Sequence, residues 1–301
     1  MQTGRIVRGV GGFYYVMGSE GKVYECRGRG ILRRKGIKPL VGDEAVFSIS
    51  DPEALTGSIE DITPRTNMLY RPEVANVDQA VVLFSFTNPE PSFNLLDRFL
   101  IELKRLSLSA VVCFNKCDLA ENKDIEAIRA IYEKSCIPLI PLSVREGIGM
   151  EKLLEHLRGR VSVLAGTSGV GKSSLINRLS SEKVMETGSL SKKIQRGKNT
   201  TRHAELFRIE ELSGGDVQTF VCDTPGFTSF ELRDVDPEEL RFFYPEFDEF
   251  EGECRFRGCS HTHEPGCMVT PAVNEGWIPE VRYQNYRVIY EQLKERRNAG
   301  T

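Results

Sequence analysis

The run Gly166-Thr-Ser-Gly-Val-Gly-Lys-Ser-Ser174, set between VSVLA and KSSLINRL, constrains this chain more than any other segment. It satisfies G-x-x-x-x-G-K-[ST] and has the strand before it and the helix after it that a phosphate loop requires. Its glycines let backbone N–H groups wrap phosphate oxygens with no Cβ in the way, and the helix start adds the positive end of its dipole. A strand–loop–helix of this kind belongs to an α/β sheet, so the neighbouring chain must supply alternating strands and helices.

Residues 66–233 meet that demand. QAVVLFSF, SAVVCFNK, IPLIPLS and VSVLAG are near-continuous apolar strands, with amphipathic helices NLLDRFLIELKRL, NKDIEAIRAIYEKS, MEKLLEHLRG and SSLINRLS interleaved. Such strands suit a parallel sheet covered on both faces. AELFRIEEL and VQTFVCD add two more strands. Residues 1–65 have another texture: GRIVRGV, FYYVMG, KVYECRG, DEAVFSIS and GSIEDI alternate briefly and break at Gly or Pro, as in a small all-β barrel. Residues 234–301 change again, to an acidic aromatic segment, a Cys/His knot and a polar helix from about Val281 to Arg297.

The nucleotide motifs follow. Gly166, Thr167, Ser168, Gly169, Val170, Gly171, Lys172, Ser173 and Ser174 form the phosphate loop, with Lys172 reaching the β- and γ-phosphates and Ser173 binding Mg²⁺. Asp223-Thr-Pro-Gly226 ends a strand about fifty residues further on, placing Asp223 for Mg²⁺ and the Gly226 N–H for the γ-phosphate. Between them, Gly197-Lys-Asn-Thr-Thr-Arg-His203 is polar and basic, as a switch loop is; Thr201, with Thr200 as the alternate, would complete the Mg²⁺ shell. Asn115-Lys116-Cys117-Asp118 closes the strand SAVVCF. The Asp118 carboxylate can accept from N1–H and the 2-amino group of guanine, donors that adenine lacks. Ser143 and Val144 stand ready to support the base from the next strand.

In the usual chain order the Asn-Lys-x-Asp element follows the phosphate loop; here it precedes it by about fifty residues. The order is base, base support, phosphate loop, switch I, switch II, which is a cyclic rotation. Rotation keeps each strand's place in the sheet provided the old termini can be joined, here through MEKLLEHLRG into VSVLAG. It also sends switch II straight into the C-terminal segment, so a change at Gly226 could pass there as through a lever.

Cys254-x4-Cys259-x-His261-x5-Cys267 offers three thiolates and an imidazole, the complement of a closed structural Zn²⁺ site, with His263 ranked second to His261. The other cysteines are dispersed, which fits a reducing cytosol. A net charge of −3 does not advertise a nucleic-acid binder, yet residues 26–38 carry Arg27, Arg29, Arg33, Arg34, Lys35 and Lys38 with no acid. Beside the aromatic strand residues Phe13, Tyr14 and Tyr15, that basic loop has the layout of an oligonucleotide-binding barrel, although a solvated loop is an equal reading. MQTGRIVRGVGG lacks the apolar stretch of a secretory signal, and no apolar run approaches the roughly 18 residues of a membrane span.

Barrel, rotated GTPase and C-x4-C-x-H-x5-C together resemble, over essentially the whole chain, the ribosome small-subunit-dependent GTPase family RsgA, also called YjeQ or YloQ. The resemblance implies a multidomain α/β chain: an N-terminal OB-fold, a circularly permuted P-loop GTPase and a helical zinc domain. It further implies a cytoplasmic monomer that hydrolyses GTP to GDP under stimulation by the 30S subunit, acts in its late maturation and helps release assembly factors. On that reading the basic loop and the zinc domain contact 16S rRNA, one Zn²⁺ is structural and Mg²⁺ accompanies GTP.

Two positions depart from better-known patterns. Phe227 stands where many GTPases carry a water-orienting Gln; the family shares an apolar residue there. The family's switch I usually reads G-x-His-Thr-Thr, and Asn199 occupies the His position. Asn199 can hold water but cannot take a proton; His203 is the candidate to compensate. Slow intrinsic turnover is expected, and a GTP-gated rRNA-binding clamp with negligible turnover is the alternative function. A metabolic phosphotransferase would leave the barrel and the knot unexplained.

Overall fold

The computed structural model describes residues 1–70, 72–180, 204–215, 217–223, 232 and 234–299. The first strands are β1 (Gln2–Val10), β2 (Phe13–Gly18) and β3 (Val23–Gly28), followed by the short helix α1 (Gly30–Arg34), then β4 (Glu44–Asp51) and β5 (Thr56–Ile62). They are ordered β1-β2-β3-β5-β4, and β4 pairs back onto β1, closing an OB-type barrel in which only β3 and β5 run parallel. The alternation has the expected effect: Ile6, Val16, Tyr24, Cys26, Ala45, Phe47 and Ile59 point inward as one core. The basic segment read as a loop is in part helical, because Leu32 drops into that core and winds Gly30–Arg34 around it.

A hairpin, β6 (Met68–Tyr70) with β7 (Glu73–Ala75), leads from the barrel into the second unit. That unit runs β8 (Gln79–Ser85), α2 (Phe93–Arg105), β9 (Ser109–Asn115), α3 (Asn122–Tyr132), β10 (Leu139–Pro141), α4 (Met150–Leu157), β11 (Val161–Ala165), α5 (Lys172–Leu179), β12 (Glu205–Arg208) and β13 (Phe220–Asp223). Its strands are ordered β10-β9-β8-β11-β13-β12, all parallel except β12, which is antiparallel to β13. Because the sheet is covered on both sides, β8 sends Val82 and Phe84 into one core and Val81 and Leu83 into the other.

The rotated order needs a sound join between α4 and β11. Buried Gln79 provides it, donating from Nε2 to the His156 carbonyl (2.8 Å) and to Ser162 Oγ (2.9 Å). Its Oε1 accepts from Arg160 at 2.8 Å. The amide of β8 thereby holds the segment that a conventional order would leave as two chain ends.

The C-terminal unit is helical, as expected. Two 3₁₀ stretches, Pro237–Phe243 and Pro245–Phe250, precede the Cys/His knot, α6 (Val269–Asn274) and α7 (Glu280–Ala299). Tyr244, Phe247, Tyr286, Ile289 and Leu293 pack there with Ile101 of α2, so the unit is seated on the GTPase rather than tethered beside it. Among the described residues no helix is long and apolar enough to cross a membrane.

Candidate functional site

In the parallel sheet the carboxyl ends of β9, β8, β11 and β13 lie along one edge, where α/β sheets bind ligands. Asn115 ends β9, Gly166 follows β11, and Asp223 ends β13. Segments far apart in the chain are thus neighbours in space.

The phosphate loop has its required backbone. Gly166 (φ +139°) passes against the Leu83 carbonyl, and Gly171 (φ +106°) against the Asn115 amide; a Cβ at either would collide. Val170 is buried beneath the loop, and Asn115 Nδ2 donates to its carbonyl at 2.8 Å. Asn115 Oδ1 accepts from the Val144 N–H at 3.0 Å, so one buried amide clips the phosphate loop to the segment of Ser143 and Val144. The Cys117 N–H donates to the Leu142 carbonyl at 3.0 Å, fixing the turn that carries Asp118, which is exposed at the edge. Lys116, at φ +63°, reaches over the loop to the carbonyls of Asn88 and Gly169. Ser143 is buried, its hydroxyl accepting from the Glu146 N–H at 3.1 Å.

Lys172 and Ser173 open α5 at the loop's end, while Thr167, Ser168, Gly169 and Ser174 are on the exposed or half-exposed side. Lys172 Nζ donates to the carbonyls of Gly166 (2.7 Å) and Thr167 (2.8 Å). Burial lowers its pKa, and the charge of Asp223 opposes that fall. Ser173 stands at the start of the helix after β11 and Asp223 ends β13, the strand paired with β11, and a hydroxyl with a carboxylate is a hard-oxygen donor set that suits Mg²⁺. Asn199, Thr200, Thr201, His203, Gly226 and Phe227 lie outside the described residues.

One residue that sequence reasoning passed over stands beside this set. Glu205 of β12 is the Cα partner of Asp223. Burial raises the Glu205 carboxyl, Arg8 of the barrel draws it down, and Asp223 raises it again. Its only signal in the sequence was an acid opening a strand.

The metal knot assembles as its spacing implies. The ligand atoms of Cys254, Cys259, His261 and Cys267 lie within 4.8 Å of one another. Cys254 Sγ and Cys267 Sγ are each 3.6 Å from His261 Nδ1, the edge expected of a tetrahedron with bonds of about 2.3 Å to sulfur and about 2.05 Å to nitrogen. Burial pushes the Cys267 thiol up, but His261 and groups of Thr270 and Val269 outweigh it and bring it down to about 6. The four form a closed site that fits Zn²⁺. His263 instead bonds Thr262 and is exposed.

The barrel surface differs from the expected layout. Tyr15, with Met17 and Val23, packs onto the GTPase core, because that side of β2 and β3 is used to dock the two units. Phe13 is covered by the Arg27 guanidinium at 4.4 Å. Arg29, Lys35 and Lys38 pair with Glu60 (2.9 Å), Asp61 (2.8 Å) and Glu73 (2.6 Å). Among the described residues Arg33 and Arg34 have no carboxylate partner.

Known proteins share this arrangement. A family model described as RsgA GTPase matches residues 62–233, and one described as RsgA N-terminal domain matches residues 3–56. The small ribosomal subunit biogenesis GTPase RsgA of Agathobacter rectalis is 44% identical, covering 98% of this chain and 99% of its own. The protein of the same name from a Geobacillus species is 44% identical over 99% of both. Among solved structures, YjeQ from Thermotoga maritima superposes with a TM-score of 0.77 at 34% identity, covering 97% of this chain and 98% of its own. YloQ, described as a circularly permuted GTPase, does so with 0.76 at 36% identity, covering 98% and 96%. With its rotated sheet, its phosphate loop and its full-length relatives in agreement, this chain belongs to the RsgA family of GTP-hydrolysing enzymes.

Proposed function

We propose that this chain hydrolyses GTP to GDP and phosphate during biogenesis of the small ribosomal subunit, in the cytoplasm, with the subunit as stimulator. The observation that supports the nucleotide half is the Asn115 clip, which ties Val170 of the phosphate loop to Val144 beside the turn proposed to read guanine. The ribosomal half rests on relatives whose names state that role at 44% identity over nearly the whole chain.

In the mechanism, Asp118 accepts from guanine N1–H and its 2-amino group while Ser143 and Val144 hold the turn behind the base. Lys172 leaves the Gly166 and Thr167 carbonyls for the β- and γ-phosphates, and the loop N–H groups from Gly166 to Ser174 wrap the rest. Ser173, Asp223 and Thr201 would hold Mg²⁺, whose chemistry is to neutralise charge on the triphosphate. The Gly226 N–H meets the γ-phosphate, and Asn199 or His203 orients the attacking water. With Phe227 in the usual glutamine place, turnover waits for the subunit to complete the site. Loss of the γ-phosphate then passes through switch II into the zinc domain.

Binding of 16S rRNA falls to Arg27, Arg29, Arg33, Arg34, Lys35 and Lys38, with Arg33 and Arg34 foremost, since solvent-screened pairs such as Lys35–Asp61 contribute little and exchange readily for phosphate. The domain limits are 1–65, 66–233 and 234–301, and the protein works as a monomer that helps assembly factors leave. The test is GTP hydrolysis with and without purified small subunits, for wild type, Asn199→Ala and His203→Ala. Stimulation is expected in wild type and lost in at least one variant. A turnover indifferent to the subunit would leave only a GTP-gated clamp.

A further inference from the structure

Glu205 opens β12 directly opposite Asp223 in the antiparallel ladder with β13. Directly opposed residues of an antiparallel pair project from the same face, with Cβ atoms about 5 Å apart. A second carboxylate therefore accompanies the one given above to Mg²⁺. Glu205 is also the Cα partner of Arg8, the pairing through which barrel strand β1 joins β12. Arg8 Nη1 lies 3.7 Å from Glu205 Oε1, and the guanidinium is stacked on the Tyr15 ring at 4.0 Å, which fixes its heading. Barrel cation, Glu205 and Asp223 thus occupy successive rungs of one sheet.

We infer that Glu205 is a positioning residue that adds a second negative charge to the Mg²⁺–nucleotide site, and that Arg8 of the barrel sets how much of that charge the metal feels. The inference rests on the placing of Mg²⁺ at Asp223. It gives the RNA-binding barrel a direct electrostatic hold on metal affinity through one ion pair. An ordinary surface pair at this interface would contribute little to stability and nothing to metal dependence.

The test uses the full-length protein and a fluorescent, non-hydrolysable GTP analogue, and reads the Mg²⁺ concentration at half-maximal retention. Glu205→Gln should raise that concentration about three- to tenfold, and Arg8→Ala should lower it about twofold or more, since a neighbouring charge acts through a partly screened medium. Arg8→Ala in the Glu205→Gln background should have no effect, and Glu205→Asp should restore the wild-type value to within about twofold. Arg8→Ala and Glu205→Gln shifting the same way would mean a loosened junction and would overturn the inference. A shift in Asp223→Asn with none in Glu205→Gln would overturn it alone. No shift in Asp223→Asn would remove the metal placement, and the inference with it.

Discussion

The Arg282 guanidinium of α7 is ion-paired with the Asp97 carboxylate of α2, and both are buried where the C-terminal unit meets the GTPase. Glu246 takes Arg282 Nε at 2.6 Å, Tyr132 and Asn285 donate to Asp97 at 2.9 and 2.7 Å, and the guanidinium lies 4.5 Å from the centre of the Tyr244 ring. Burial alone would lower the Arg282 pKa, but Asp97 and Glu246 raise it and keep it charged. Two carboxylates and one guanidinium, each otherwise satisfied, make a junction that tolerates no missing member. Asp97→Ala should therefore cost about 3–5 kcal/mol, because it strands buried charge. Calorimetry should show the C-terminal transition falling by roughly 12 °C or more. A fall of only a degree or two would mean that water replaces the carboxylate.

Asn115→Ala removes both arms of the clip between Val170 and Val144. It leaves a buried carbonyl and a buried N–H without partners, at about 1–3 kcal/mol each. Guanine nucleotide affinity should fall at least tenfold, with base selectivity retained because Asp118 is untouched. Equilibrium titration with GDP and ADP checks both statements.

Asp118→Ala should act differently. Two hydrogen bonds to a charged acceptor are lost, so GTP binding should weaken by about a hundredfold or more while ATP binding changes little. An unchanged GTP-to-ATP ratio would remove Asp118 from base recognition.

Zinc removal should be felt locally and then in the whole unit. Elemental analysis should find one Zn²⁺ per chain, and Cys267→Ser should lose it. Since binding free energy at such sites is folding free energy, a chelator should raise hydrogen exchange in α6 and α7. Protection in β8 and β11 should be kept, because their cores are closed without the knot.

Much of this protein can be read from short stretches of chain. The phosphate loop, the Asn115–Asp118 turn, the alternation of β3 and β4 and the Cys254–Cys267 spacing are local signals, each needing only neighbouring residues to state its chemistry. The order of the nucleotide motifs even exposes the rotation, because a strand's place in a sheet does not depend on where the chain is cut. Boundaries were less legible: IPLIPLS gives a strand only over Leu139–Pro141, where the chain must turn to present Ser143. Only the tertiary structure decided which side of the barrel is spent on docking, turning Tyr15 inward to the GTPase and Arg8 toward Glu205. It alone brought Asp97 to Arg282, a pair 185 positions apart, and Glu205 to Asp223. Such pairings carry no periodicity or motif of their own; a charge on an apolar helix face or at a strand start acquires its meaning only when a distant segment folds against it.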